Sequence, residues 1–136
     1  MNMITCGSGT AQDPWVLKTP ARTSEFQAWR DDAKATLVVQ VASTQLSYHL
    51  RCLEDLAAML TARGDWVVLG NADEGKPVQA GSVEAWARDE GNPVGGYYGL
   101  RKGYRGRFGN YVPPVMELLG LAELEHNARN NRMRAR

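Results

Sequence analysis

Leu37-Val38-Val39-Gln40-Val41 is a β-branched, nearly continuous apolar run, and Leu46, Tyr48 and Leu50 then alternate with Gln45, Ser47 and His49. That pattern predicts an antiparallel hairpin turning at Ala42-Ser43-Thr44, with the second strand half-buried and His49 on the side away from Leu46 and Tyr48. From residue 52 the period changes. Leu53, Leu56, Ala57 and Leu60 fall at i, i+3, i+4 and i+7, one face of a helix. Glu54 and Asp55 in its first turn and Arg63 in its last suit the helix dipole, and Gly64 supplies a left-handed stop. "DWVVLG" (65–70) then reads as a short buried strand and "NADEGKPVQAG" (71–81) as a polar loop.

The flanking patterns are shorter. "DPWVLKTP" (13–20) predicts an extended segment with Trp15 and Leu17 on one side. In "TSEFQAWRDD" (23–32), Thr23 or Ser24 fits the cap of a short helical turn, with Phe26, Trp29 and Arg30 at helical spacing. "SVEAWARDE" (82–90) predicts a helix capped by Ser82, burying Val83, Trp86 and Ala87. "VPPVMELLG" (112–120) predicts another, with Pro113 and Pro114 in its first turn and Gly120 ending it. The tail, 121–136, reads as two extended pieces around "NARNN" (127–131). Two architectures fit this end of the chain. One is the last helix and wing of a winged helix-turn-helix unit, with "SVEAWARDE" as an earlier helix. The other is an ordinary C-terminal hairpin packed on the sheet. The second is preferred, because the glycine-punctuated segment 91–112 is far longer than a helix-turn-helix turn. The expected fold is α+β: a small antiparallel sheet with a hairpin–helix–strand core, short C-terminal helices and a C-terminal extended or hairpin segment. Residues 1–12 read as a loose tail and 13–136 as a single domain.

Composition narrows the chemistry. The 136 residues are 43% hydrophobic and 23% charged, ordinary for one globular domain. No apolar run reaches membrane-helix length, and the N-terminus lacks a basic and apolar leader, so a cytoplasmic location is expected. Cys6 and Cys52 form no C-x-x-C, which predicts two free thiols rather than a zinc site or redox pair. Two histidines are too few for a three-histidine metal site, and no phosphate-loop, dinucleotide or serine-hydrolase motif occurs; neither metal nor cofactor is expected. On an extended strand Glu123 and Glu125 share a face that His126 opposes. Were the chain an enzyme, Tyr48, His49 and His126 would be the acid/base groups to test and Arg105 the anion holder. A non-enzymatic role is the stronger expectation.

Charge is what remains. Residues 1–95 hold 8 Lys/Arg against 12 Asp/Glu, and residues 96–136 hold 8 against 3. "GLRKGYRGRFGNY" (99–111) has four basic residues, three aromatics, four glycines and no acid. Arg101, Lys102, Arg105 and Arg107 suit phosphate oxygens. Tyr104, Phe108 and Tyr111 suit base stacking, and Gly99, Gly103, Gly106 and Gly109 suit close backbone approach to a ligand. Arg129, Arg132, Arg134 and Arg136, interleaved with asparagines, add bidentate donors. The function expected is a binding module for an anionic ligand, either nucleic acid or another phosphorylated molecule. Its site would be Arg101, Lys102, Tyr104, Arg105, Arg107, Tyr111, Arg132 and Arg134. The alternatives are a small enzyme or pocket protein, its cavity lined by Trp15, Trp29, Trp66, Trp86, Tyr97 and Tyr98, and an interaction domain that homodimerises through an open strand edge.

The long segments "DPWVLKTP", "LSYHLRCLEDL", "GDWVVLGNADE" and the whole of 82–136 resemble a small bacterial family without an assigned function. The similarity runs from about Trp15 to the C-terminus. It implies one compact α+β domain and carries no activity, substrate or site residue.

Overall fold

The computed structural model describes residues 7–136. Cys6 and the first six residues of the expected tail lie outside them. Within residues 7–12, the Gly9 carbonyl accepts from the Arg30 amide at 3.0 Å. Four strands follow in sequence: β1 (Trp15–Lys18), β2 (Glu25–Asp31), β3 (Thr36–Val41) and β4 (Thr44–His49). They form an antiparallel meander in that order. The β3–β4 hairpin has its expected form, with Val39 opposite Leu46 and Val41 opposite Thr44. Leu46 and Tyr48 are buried, and His49 is half-buried.

Residues 25–31 correct the helical turn expected there. Phe26 and Ala28 are buried while Glu25 and Gln27 are exposed, a period of two. Phe26, Trp29 and Arg30 have helical spacing, but a lone helical turn is costly to nucleate. Pairing with β1 and β3 satisfies the backbone on both sides.

The chain then leaves the first sheet. Helix α1 (Cys52–Arg63) buries Cys52, Leu53, Leu56 and Leu60, and Gly64 ends it at φ 67°. The two-residue strand β5 (Val67–Val68) precedes α2 (Val83–Trp86), which Ser82 caps through the Ala85 amide. Helix α3 (Phe108–Leu118) leads into β6 (Ala122–Leu124) and β7 (Arg132–Ala135). β5, β7 and β6 make a second antiparallel sheet, in that order. The C-terminal hairpin therefore pairs with β5 instead of packing on the first sheet. The hairpin reading of the C-terminus holds, with β5 as the third strand of its sheet. A long connection, residues 87–107, joins α2 to α3.

That connection is pinned. The His49 amide donates to the Tyr98 carbonyl and the Leu100 amide to the Ser47 carbonyl, both at 2.9 Å, so residues 98–100 lie along the free edge of β4. Tyr98 stacks on Trp86 with ring centroids 5.0 Å apart, and Phe108 meets Tyr48 edge-on at 5.6 Å. Helix α3 packs against β6 of the second sheet and β1 of the first, so one continuous core joins both. Among the described residues no helix is long and apolar enough to cross a membrane.

Candidate ligand-binding groove

Helix α3 starts at Phe108, so Pro113 and Pro114 sit in its second turn, not its first. Neither has an N–H, so the carbonyls of Gly109 and Asn110 receive no bond from four residues on. The amides of the first turn are spoken for. The carboxylate of Glu84, only 1% exposed, accepts from the Phe108 and Gly109 amides at 3.2 and 2.8 Å and from Arg88 Nη2 at 3.2 Å. Burial raises the Glu84 carboxyl above its ordinary range, against the pull of those donors. The positive end of α3 is thus occupied by an internal anion.

The basic segment is held by the acidic loop before it. Arg105 grips Glu74 through Nε and Nη2 at 2.8 and 3.1 Å, and Arg107 grips Asp73 through the same two nitrogens at 2.5 and 3.3 Å. Arg105 holds Glu74 well below the usual carboxylate range, down to about 2, aided by the Arg105 and Gly103 amides. The Asp73 carboxyl is lowered by Arg107. Gly99 and Gly106 allow close backbone approach within this clamp. A Cβ on Gly106 would lie 2.3 Å from the Glu74 nitrogen, and one on Gly99 2.4 Å from the Arg105 carbonyl oxygen.

The other expected site residues divide. Arg101 donates to the Gln45 carbonyl at 2.7 Å and lies 4.3 Å from the Tyr104 ring centroid; Lys102 is exposed. Arg132 and Arg134 pair with Glu125 and Glu123 and both lie over Trp66, at 5.2 and 4.5 Å. They stay on the second sheet. Tyr104, Arg107 and Tyr111 do come together, in a groove along the first turns of α3.

Three neighbouring compartments that share lining residues make up that groove. The largest, about 390 Å³, is rich in amides and holds Asn71, Asn110, Asn130 and Arg129. It shares Asn71 and Asn110 with a middle compartment of about 300 Å³, where Arg107 and the hydroxyl residues Thr19, Thr23 and Ser24 enter. Arg107 and Tyr111 continue into a third, of about 360 Å³, bounded by Val41, Leu46 and Tyr104. Arg107 reaches this central place from a left-handed backbone, φ 61°, unusual for a residue with a side chain. Its amide donates to the Ala72 carbonyl at 2.8 Å, which helps hold that conformation. Its guanidinium spends only one edge on Asp73, and Nη1 has no protein acceptor among the described residues. The side-chain amides of Asn71 and Asn110 likewise meet no protein partner among the described residues, and Arg129 meets no carboxylate there.

The acid/base suspects do not assemble. Tyr48 is buried, and its hydroxyl donates to the Gly106 carbonyl at 2.8 Å; burial raises it well above the ordinary tyrosine range. His49 turns edge-on to Tyr98. His126 bridges the Pro20 carbonyl at 2.9 Å and Glu117 at 2.7 Å, on the other side of α3's C-terminal half. Cys52 is fully buried, and its thiol is raised accordingly. Among the described residues no group of three or more His, Cys, Asp or Glu side chains is placed to hold a metal ion. The six aromatics expected around a cavity do not line the groove: Trp15 and Tyr98 are core, and Trp66 lies under two arginines. Asn71, Asn110 and Glu84 were not singled out from the sequence. Glu84 sits two residues past a helix cap, where an acid reads as a dipole partner of its own helix.

Residues 7–136 match a protein family described as a family of unknown function (DUF6855). No curated protein matches the chain. No solved structure matches it either. The match spans nearly all of the chain, which therefore belongs to DUF6855.

Proposed function

We propose that this protein is a non-enzymatic module that binds a small anionic ligand, a phosphorylated molecule above all, in the groove along α3. The observation that carries this reading is Arg107. It sits in a left-handed conformation where two compartments meet, with one guanidinium edge fixed on Asp73 and Nη1 free beside two unpartnered amides. A guanidinium oriented by a carboxylate is pre-organised, so less side-chain entropy is lost when an anion arrives. Asn110 and the hydroxyls around it supply neutral donors that suit phosphate oxygens.

Duplex DNA is the less favoured partner. In a winged helix the helix equivalent to α3 enters the major groove. Here Phe108, Gly109, Val112, Pro113, Pro114, Val115 and Met116 of α3 are buried, and the helix has no basic residue. Two arginines of the β6–β7 hairpin, Arg132 and Arg134, are paired with its own glutamates.

Phosphate titration followed by calorimetry tests the reading. Binding should weaken as salt rises, and Asn110→Asp, which sets a carboxylate beside Arg107, should cut affinity tenfold or more. Equal affinity in the variant, or heat only from nonspecific association, would contradict it.

A further inference from the structure

The compartment beyond Arg107 differs from the one that receives the anion. Val41, Leu46, Tyr104 and Tyr111 bound it, and Asp73 and Glu74 lie at its rim. Tyr111 is fixed edge-on to Phe26 at 5.1 Å, and Tyr104 is 45% exposed with Arg101 stacked over it. Arg107 and Arg105 balance those two carboxylates, and the aromatic and aliphatic walls accept a flat apolar ring. The groove is therefore polarised: amides, hydroxyls and free guanidinium nitrogen on one side of Arg107, aromatic rings and acids on the other.

From this polarity, and resting on the anion reading above, we infer that the ligand is a nucleoside monophosphate. Its phosphate lies at Arg107 and its base against Tyr104 and Tyr111, which border the same compartment as Arg107. Stacking tolerates any base, since each has a π-face.

Equilibrium titration of the full chain with adenosine monophosphate, ribose 5-phosphate and inorganic phosphate separates the two layers of the argument. The nucleotide should bind at least tenfold more tightly than ribose 5-phosphate. Tyr104→Ala should erase that difference and leave ribose 5-phosphate binding as it was, whereas Tyr104→Phe should keep it. Tyr104 is exposed, so neither change threatens the fold. Equal affinity for nucleotide and sugar phosphate, with phosphate still bound in an Asn110-dependent way, overturns the nucleotide assignment and spares the anion site. Absence of binding by all three ligands overturns both.

Discussion

At the scale of single residues, Glu84 and Gly106 hold the groove in place. Glu84 is a buried carboxylate whose loss strands two α3 amides and removes the carboxylate partner of Arg88, itself drawn over Tyr97. Removing one partner of such a set leaves unpaired donors in a dry site, so Glu84→Ala should cost about 3 kcal/mol in urea unfolding. Gly106→Ala has no room for its methyl against the Glu74 backbone and should cost about 2–3 kcal/mol by the same measurement. The acids also set opposite pH trends. Glu74, lowered from 4.5 to about 2, contributes stability that is complete above 4.5 and lost as pH falls through about 2. Asp73 and Glu125, lowered by Arg107 and Arg132, act in the same sense. Glu84 is raised, so its contribution runs the other way, falling as pH climbs above its ordinary range. Unfolding free energy followed from pH 5 to pH 2 should therefore decline, and Glu74→Gln should flatten the decline.

Among the elements, the connection from α2 to α3 decides how the two sheets meet. Its amides at Leu100 and Arg107 are bonded to Ser47 and Ala72, and the His49 amide is bonded to it. Hydrogen exchange should show all three protected to a degree close to that of β3; exchange at loop rates would contradict the pinned edge. This is where sequence and structure part. The β3–β4 hairpin, α1 and the Ser82 cap were legible because each depends on a local period or a local bond. Segment 96–111 has no period, since its order comes from partners far along the chain: Tyr48 for Gly106, Glu74 for Arg105, Asp73 for Arg107. The candidate site was legible only in part for the same reason. Tyr104, Arg107 and Tyr111 lay in the conspicuous segment, but Asn71 belongs to a distant loop. Arg132 and Arg134 were equally conspicuous and lie elsewhere. The acidic first part and basic last part of the chain were the signal for pairing, for Asp73 and Glu74 answer Arg107 and Arg105 across them.

For the molecule as a whole, ion pairs take up Arg105, Arg107, Arg132 and Arg134, half of the eight basic residues of 96–136. A duplex oligonucleotide should accordingly bind weakly at low salt and not at all at moderate salt, as fluorescence anisotropy would show; nanomolar duplex binding would restore the wing and α3 as a reading head. The central claim is that the anion site is the groove at Arg107. Nitrogen–proton correlation spectra recorded during a phosphate titration test it most directly. The account predicts saturable shifts at the Asn71 and Asn110 side-chain amides and at Arg107 Nε. Shifts confined to Arg101, Lys102 and the C-terminal arginines, or no saturable shift, would contradict it.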